Sequence, residues 1–229
     1  MSIWRSPDLG LANELAQHLV PPRPEPLGQD VWRLQVLDER GCARLSAVID
    51  DHLSWCRGDH ASPNSMHSAG VVMKPLGLSP AMAALRRGVI EQLATEHFPE
   101  LGPLDHQYAF AATYGQGLDR SLGFHADDSE ITLNLCLGHD FDGGTLVFLG
   151  RRCAAHRQTP HRADEELRVD LLPGQAVLHA GAHRHLVTPV RGERRNLILW
   201  ARSAAYRASA SADAGCPPWC GRRKQGAPG

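Results

Sequence analysis

The chain has 229 residues and a formal net charge of −1, with Lys+Arg 24 against Asp+Glu 25, a length that suits one compact domain with short additions. Near-neutrality makes neither nucleic acid nor a membrane surface an obligatory partner, and no apolar run approaches the roughly 20 residues that span a bilayer. The start, Met1-Ser2-Ile3-Trp4-Arg5-Ser6, lacks the apolar core of a signal peptide, and the six cysteines form no Cys-x-x-Cys pair, so reduced thiols and a soluble, cytoplasmic protein are expected.

Taken in order, Asp8 to Leu19 has Leu9, Ala12, Leu15, Ala16 and Leu19 at helical spacing, and the run Pro21-Pro22-Arg23-Pro24-Glu25-Pro26 ends any helix. Residues 1–30 are therefore expected to be a loosely attached N-terminal arm with a stiff linker. Val31 to Leu37 reads as a strand, and Asp38 to Cys56 as a helix with Leu45, Val48, Ile49 and Leu53 on one face. A second helix is expected to start with Ser79 as N-cap and Pro80 at the first helical position, turning Met82, Leu85, Val89 and Leu93 inward.

From Asp105 the period changes. Tyr108, Phe110, Ala112 and Tyr114 alternate with smaller residues, which predicts a strand over Asp105 to Tyr114. Further strands are expected at Ile131 to Leu137, Thr145 to Leu149, Leu167 to Leu172, Ala176 to His179, His185 to Val190 and Asn196 to Arg202. Asp142-Gly143-Gly144, Pro173-Gly174 and Arg191-Gly192 supply turns between them. Short strands after two helices suggest an α+β jelly-roll barrel buttressed by N-terminal helices. Arg151 to Glu166, charged and without an apolar period, reads as a loop over the barrel mouth. Residues 208–229 read as a flexible C-terminal tail. Cys153 with His156 and Cys216 with Cys220 could form two halves of a zinc site, although solvated thiols in flexible stretches are the commoner explanation.

Gly123-Phe124-His125-Ala126-Asp127 carries the strongest chemical signal. In an extended segment His125 and Asp127 point to one face and can chelate a divalent metal. The metal then needs a third ligand from a distant segment, and two histidines with one carboxylate and open remaining positions are the arrangement of non-haem iron(II) oxygenases. Spacing alone leaves His179, His183 and His185 open as the third ligand.

These residues, together with Glu130 to Gly138, Phe141-Asp142-Gly143-Gly144, Val177-Leu178-His179-Ala180-Gly181 and Gly192-Glu193-Arg194-Arg195-Asn196-Leu197, resemble the 2-oxoglutarate and iron-dependent oxygenase domain-containing proteins, within the wider prolyl-4-hydroxylase-like dioxygenases. The resemblance runs from near Pro63 to about Arg207. It implies a double-stranded β-helix core over 105–207 with helical support over 31–104, together a dioxygenase domain over 31–207. It also implies Fe(II), 2-oxoglutarate and O2, with ascorbate as a reductant, and hydroxylation of a peptide side chain or small molecule with release of succinate and CO2.

Carried onto this sequence, the family's ligand positions fall on His125, Asp127 and, by its His-x-x-x-Pro pattern ahead of Pro189, His185. The co-substrate carboxylate falls to Arg194 by a Gly-x-Arg pattern. Arg195 is the runner-up, because a residue is missing between Pro189 and Gly192 relative to the family. Tyr114, Thr132 and Asn134 are further co-substrate candidates, and Asp128 and Glu130 could orient His125 or face solvent. Two rival readings use the same residues: a non-catalytic jelly-roll that binds a ligand or protein, and a zinc-dependent hydrolase.

Overall fold

A computed structural model describes residues 9–55, 62–209 and 215–224. A major sheet of seven antiparallel strands forms its centre. In spatial order these are β1 (Glu25–Gly28), β2 (Val31–Gln35), β10 (Gln175–Ala180), β6 (Ile131–Gly138), β13 (Arg194–Arg202), β4 (His106–Tyr114) and β3 (Gly70–Val72). A minor sheet orders β5 (Leu122–His125), β11 (His183–Val187), β8 (Leu146–Arg151) and β9 (Glu166–Val169), and β7 (Phe141–Gly143) pairs with β12 (Val190–Gly192). With α-helices packed against one face of the major sheet, this is the α+β jelly-roll architecture expected from the strand pattern.

Alternation along the strands assigns each face of the major sheet. Leu133 and Leu135 on β6, Leu197 and Leu199 on β13, and Ala109 and Ala111 on β4 join a core with the helices. Their neighbours Cys136, Ile198, Trp200, Phe110 and Ala112 face the opposite way and pack with Phe148 and Val187 of the minor sheet. The helix side is aliphatic, and the barrel side mixes aromatic and polar groups.

Helix α2 (Glu39–Trp55) begins where the Asp38 carboxylate accepts the Gly41 N–H at 2.7 Å, an N-cap bond that satisfies one of the helix's unpaired donors. Its Cys42, Leu45, Ile49 and Leu53 are buried against the sheet, the stripe that helical spacing dictates. The second helix departs from expectation at its start. Helix α3 (Ser79–Leu85) has Leu78 in the cap position with no side-chain cap bond, so Ser79 is already helical and Pro80 follows it. Proline there costs nothing, because first-turn N–H groups lack helical partners anyway. The helix then passes through a π-helical turn over Arg86–Ile90 into α4 (Glu91–His97).

The described parts of two segments expected to be loose are held. Helix α1 (Leu9–Ala16) buries Leu11 and Leu15 to 5 % exposure in the helix-side core, and Leu19 bridges to Leu37. The proline-rich run does not release the arm, because Glu25 and Pro26 pair with Arg33 and Trp32 of β2. At the other end, Cys220 and Gly221 are buried within the described stretch 215–224. Among the described residues no helix is long and apolar enough to cross a membrane.

Candidate active site

Strand β5 ends on His125 and pairs with β11, where His185 stands directly opposite His125. Opposite residues in an antiparallel pair project to the same side, and the two rings lie 4.2 Å apart. Asp127 follows β5, and its N–H donates to the Gly181 carbonyl at 3.0 Å. One ligand atom each from His125, Asp127 and His185 lies within 4.8 Å of the others, with His125 Nε2 and Asp127 Oδ1 3.6 Å apart.

Each group is oriented from behind. His125 Nδ1 is 2.7 Å from the Gly123 carbonyl and His185 Nδ1 3.0 Å from the His183 carbonyl. A carbonyl only accepts, so both Nδ1 atoms carry the proton and both Nε2 lone pairs point into the site. Thr132 donates its hydroxyl to Asp127 Oδ2 at 2.6 Å, leaving Oδ1 toward the histidines. Burial lowers the His185 pKa to about 3, with His125 adding to the effect. Burial would raise the Asp127 carboxyl, but His185, His125 and His179 together hold it well below the usual carboxylate range. At neutral pH His185 is therefore a neutral imidazole and Asp127 a carboxylate, protonation states that suit a divalent metal. The donor set and the second-layer hydrogen bonds therefore fit iron(II).

The remaining histidines are settled by local geometry. His183 and His185 would share a face in a regular strand, but the β11–β8 register shifts between them. His183 Nε2 instead accepts the Gly150 N–H at 3.1 Å, which removes it from the ligand set. His179 is fully buried, with Nδ1 2.9 Å from the Ala180 carbonyl and Nε2 3.7 Å from Asp127 Oδ2. That Nε2 has no hydrogen-bond partner among the described residues. Phe148 packs against the rings of His179, His183 and His185.

The two arginines of β13 divide across the sheet. Arg194 stands opposite Tyr114 on β4, on the barrel face with Asn196 and Ile198. Its Nε donates to Asn196 Oδ1 at 2.9 Å, its Nη1 donates to the Gly144 carbonyl, and its guanidinium lies over Phe141 at 5.0 Å. Gly144, at φ +73°, is needed for this approach, since a Cβ there would overlap Arg194. Arg194 is 2 % exposed and has no carboxylate partner among the described residues. Arg195 faces the helices, paired with Asp50 of α2 at 2.8 Å and donating to Ser46 O and Thr113 Oγ1.

Tyr114, Asn134, Phe110 and Ile198 line the cleft that holds the three candidate ligands. Asn134 Oδ1 accepts from Asn196 Nδ2 at 2.6 Å, so an amide chain links it to Arg194. Thr132 differs from expectation. Its hydroxyl is engaged by Asp127 and Ser129, because its place on β6 sets it beneath the carboxylate rather than on the open cavity. Asp128 and Glu130 do not touch His125: Asp128 pairs with Arg202 and Arg207, and Glu130 with Arg207. Sequence reasoning missed His67. Asn64 Oδ1 fixes its Nδ1 at 3.1 Å, its Nε2 lies 3.4 Å from the Tyr114 hydroxyl, and burial lowers its pKa to about 4. It lies in a loop with no period, and only the turn-forming Asn64 three residues earlier hints that it is held.

No protein-family model matches the chain. It is 38 % identical over 197 residues to the Arabidopsis thaliana 2-oxoglutarate and iron-dependent oxygenase domain-containing protein CP2, a match covering 83 % of this chain and 50 % of that protein. It is 36 % identical over 194 residues to the human 2-oxoglutarate and iron-dependent oxygenase domain-containing protein 2, covering 83 % and 52 %. The chain thus spans about half the length of the curated relatives it matches. Among solved structures, a Pseudomonas putida prolyl-4-hydroxylase superposes with a TM-score of 0.52 at 17 % identity, over 84 % of this chain and 97 % of that one. A Trichoplax adhaerens prolyl hydroxylase in complex with a peptide fragment of hypoxia inducible factor gives 0.51 at 15 % identity, over 88 % and 91 %. At that identity the superpositions speak for the fold.

Proposed function

Over the segment it shares with them, the chain belongs to the 2-oxoglutarate and iron-dependent oxygenase domain-containing proteins, and from that premise we propose that it is an Fe(II)- and 2-oxoglutarate-dependent dioxygenase. His125 Nε2, Asp127 Oδ1 and His185 Nε2 hold the iron, and Arg194 receives the far carboxylate of 2-oxoglutarate. When bound, iron couples oxidative decarboxylation of 2-oxoglutarate by dioxygen to hydroxylation of a substrate C–H bond, with release of succinate and carbon dioxide.

The observation that carries this reading is the pairing of an open three-ligand site with a buried guanidinium that lacks a carboxylate. Burying an unpaired cation is costly, and a dicarboxylate ligand would relieve that cost through charge-assisted hydrogen bonds. Asn196 and the Gly144 carbonyl keep the guanidinium from turning toward the core. Tyr114, opposite Arg194, has its phenol pushed well above its ordinary pKa by burial, so it stays protonated, and its one proton can turn from the long contact with His67 Nε2 to the co-substrate. Asp127, fixed by Thr132, supplies the anionic ligand, and the Nδ1 hydrogen bonds keep both imidazoles from rotating away.

The substrate is a peptide side chain or a small molecule, as the prolyl hydroxylase solved with a peptide illustrates for its own case. Anaerobic addition of Fe(II) and then 2-oxoglutarate to the apoprotein tests the reading. The expected result is a visible metal-to-ligand charge-transfer band that requires both additions and is lost in Arg194→Ala at modest 2-oxoglutarate. A zinc-dependent hydrolase or a non-catalytic barrel gives no such band.

A further inference from the structure

A second cluster of metal-binding side chains lies away from the iron site. Cys153 and His156, in the segment after β8, meet Cys216 and Cys220 of the C-terminal stretch, and one ligand atom from each lies within 4.8 Å of the other three. Cys153 Sγ is 3.2 Å, Cys216 Sγ 3.4 Å and Cys220 Sγ 3.7 Å from His156 Nδ1, and the Cys153 and Cys216 sulphurs are 4.0 Å apart.

A tetrahedral zinc with Zn–S near 2.3 Å and Zn–N near 2.0 Å sets its sulphurs about 3.8 Å from one another and about 3.5 Å from the nitrogen. The observed separations straddle those values, whereas a disulfide needs sulphurs about 2.05 Å apart. We propose that Cys153, His156, Cys216 and Cys220 form a structural zinc site that clamps the C-terminal stretch onto the segment following β8. Three thiolates and one imidazole are a soft donor set that selects zinc over the oxygen-preferring divalent ions. With four protein ligands the coordination is closed, so the role is architectural.

The surroundings are built for docking. The Cys153 N–H points at Cys220 Sγ at 3.5 Å, a hydrogen bond that favours the thiolate. Arg151 lies over the Trp219 ring at 4.3 Å, and Arg162 donates to the Gly221 carbonyl at 3.2 Å. Gly221 rests on the buried Arg152–Glu165 pair, and a Cβ there would overlap both partners. The clamped segment in turn receives Arg184 of β11, which donates to the Arg157 and Thr159 carbonyls. The zinc site thereby braces β11, the strand that carries His185 next to Arg184. Three thiols release their protons as the metal binds, leaving the site with one net negative charge beside Arg151 and Arg152.

The test uses the full chain, purified under reducing conditions and probed with zinc and with cobalt(II) as its spectroscopic substitute. The expected result is one tightly held zinc per chain in addition to the iron site. Replacement by cobalt gives intense sulphur-to-cobalt charge-transfer absorption and tetrahedral ligand-field bands. Those bands persist in Asp127→Ala, which disables the iron site, and in Cys42→Ala, a buried cysteine elsewhere. They are lost in Cys216→Ser, and Cys153→Ser provides an independent loss should the first variant fold poorly. Absence of the bands in the wild-type chain, their persistence in both serine variants, or recovery of a Cys153–Cys216 disulfide from reduced protein overturns the proposal.

Discussion

The two faces of β13 carry opposite chemistry within one strand. Leu197, Leu199 and Ala201 point toward the helices and are fully buried among aliphatic neighbours, with Arg195 tied to Asp50 at the edge of that layer. Arg194, Asn196, Ile198 and Trp200 point into the barrel, where hydrogen-bonded polar groups lie beside aromatic rings. Both faces are equally dry, so burial does not distinguish them. What differs is the carboxylate: Arg195 has Asp50, whereas Arg194, although hydrogen-bonded to Asn196 and the Gly144 carbonyl, has none among the described residues. One residue of register therefore separates a side chain that holds the fold from the one proposed to receive the co-substrate.

Breaking the barrel face at its metal site should give the largest effect. Asp127→Ala removes the only anionic ligand and should reduce iron-dependent succinate formation to background. The apoprotein should remain folded with at most a modest fall in melting temperature, because Asp127 contributes a hydrogen bond from Thr132 but no core packing. Near-wild-type turnover in this variant would refute the triad. Next, the neighbouring arginines should separate cleanly. Arg194→Ala should weaken 2-oxoglutarate by roughly thirty-fold to several-thousand-fold, the equivalent of about 2 to 5 kcal/mol, with iron affinity in its absence unchanged. Arg195→Ala should leave the KM for 2-oxoglutarate alone and lower stability by about 1 to 2 kcal/mol in urea titrations, since its carboxylate partner is half exposed. An exchange of these phenotypes would show that the register of β13 had been misassigned.

Leu199→Ala sharpens the comparison from the helix side. It should cost about 2 to 5 kcal/mol of stability through lost burial and a residual cavity, while folded enzyme keeps its kcat, measured per active site by iron titration. Thr132→Val tests the support beneath the metal site, since it keeps the shape and removes the hydroxyl bound to Asp127. Loss of such a supporting hydrogen bond typically costs about 10- to 100-fold in metal affinity, so the iron dissociation constant should rise within that range. An unchanged constant would mean that Asp127 is oriented by its backbone alone.

Periodicity and local motifs in the sequence determined a good deal: the helix–sheet division, the long strands β4, β6 and β13, and the His125–Asp127 chelate on an extended segment. The short strands β1, β3, β7 and β12 escaped it, since three or four residues rarely display a period. Tertiary structure decided three matters that periodicity leaves open. His183 and His185 are equivalent in a regular strand; the family's His-x-x-x-Pro pattern singled out His185, and the shifted pairing with β8 supplies the physical reason, turning one toward Gly150 and leaving the other opposite His125. Thr132 looked free on its strand until Asp127, from another segment, came to rest on its hydroxyl. Cys153 and His156 lie far along the chain from Cys216 and Cys220, and sequence spacing carries no information about how remote loops meet. Alternation and composition are local properties of a chain, whereas register shifts and loop docking depend on what the rest of the molecule packs against them.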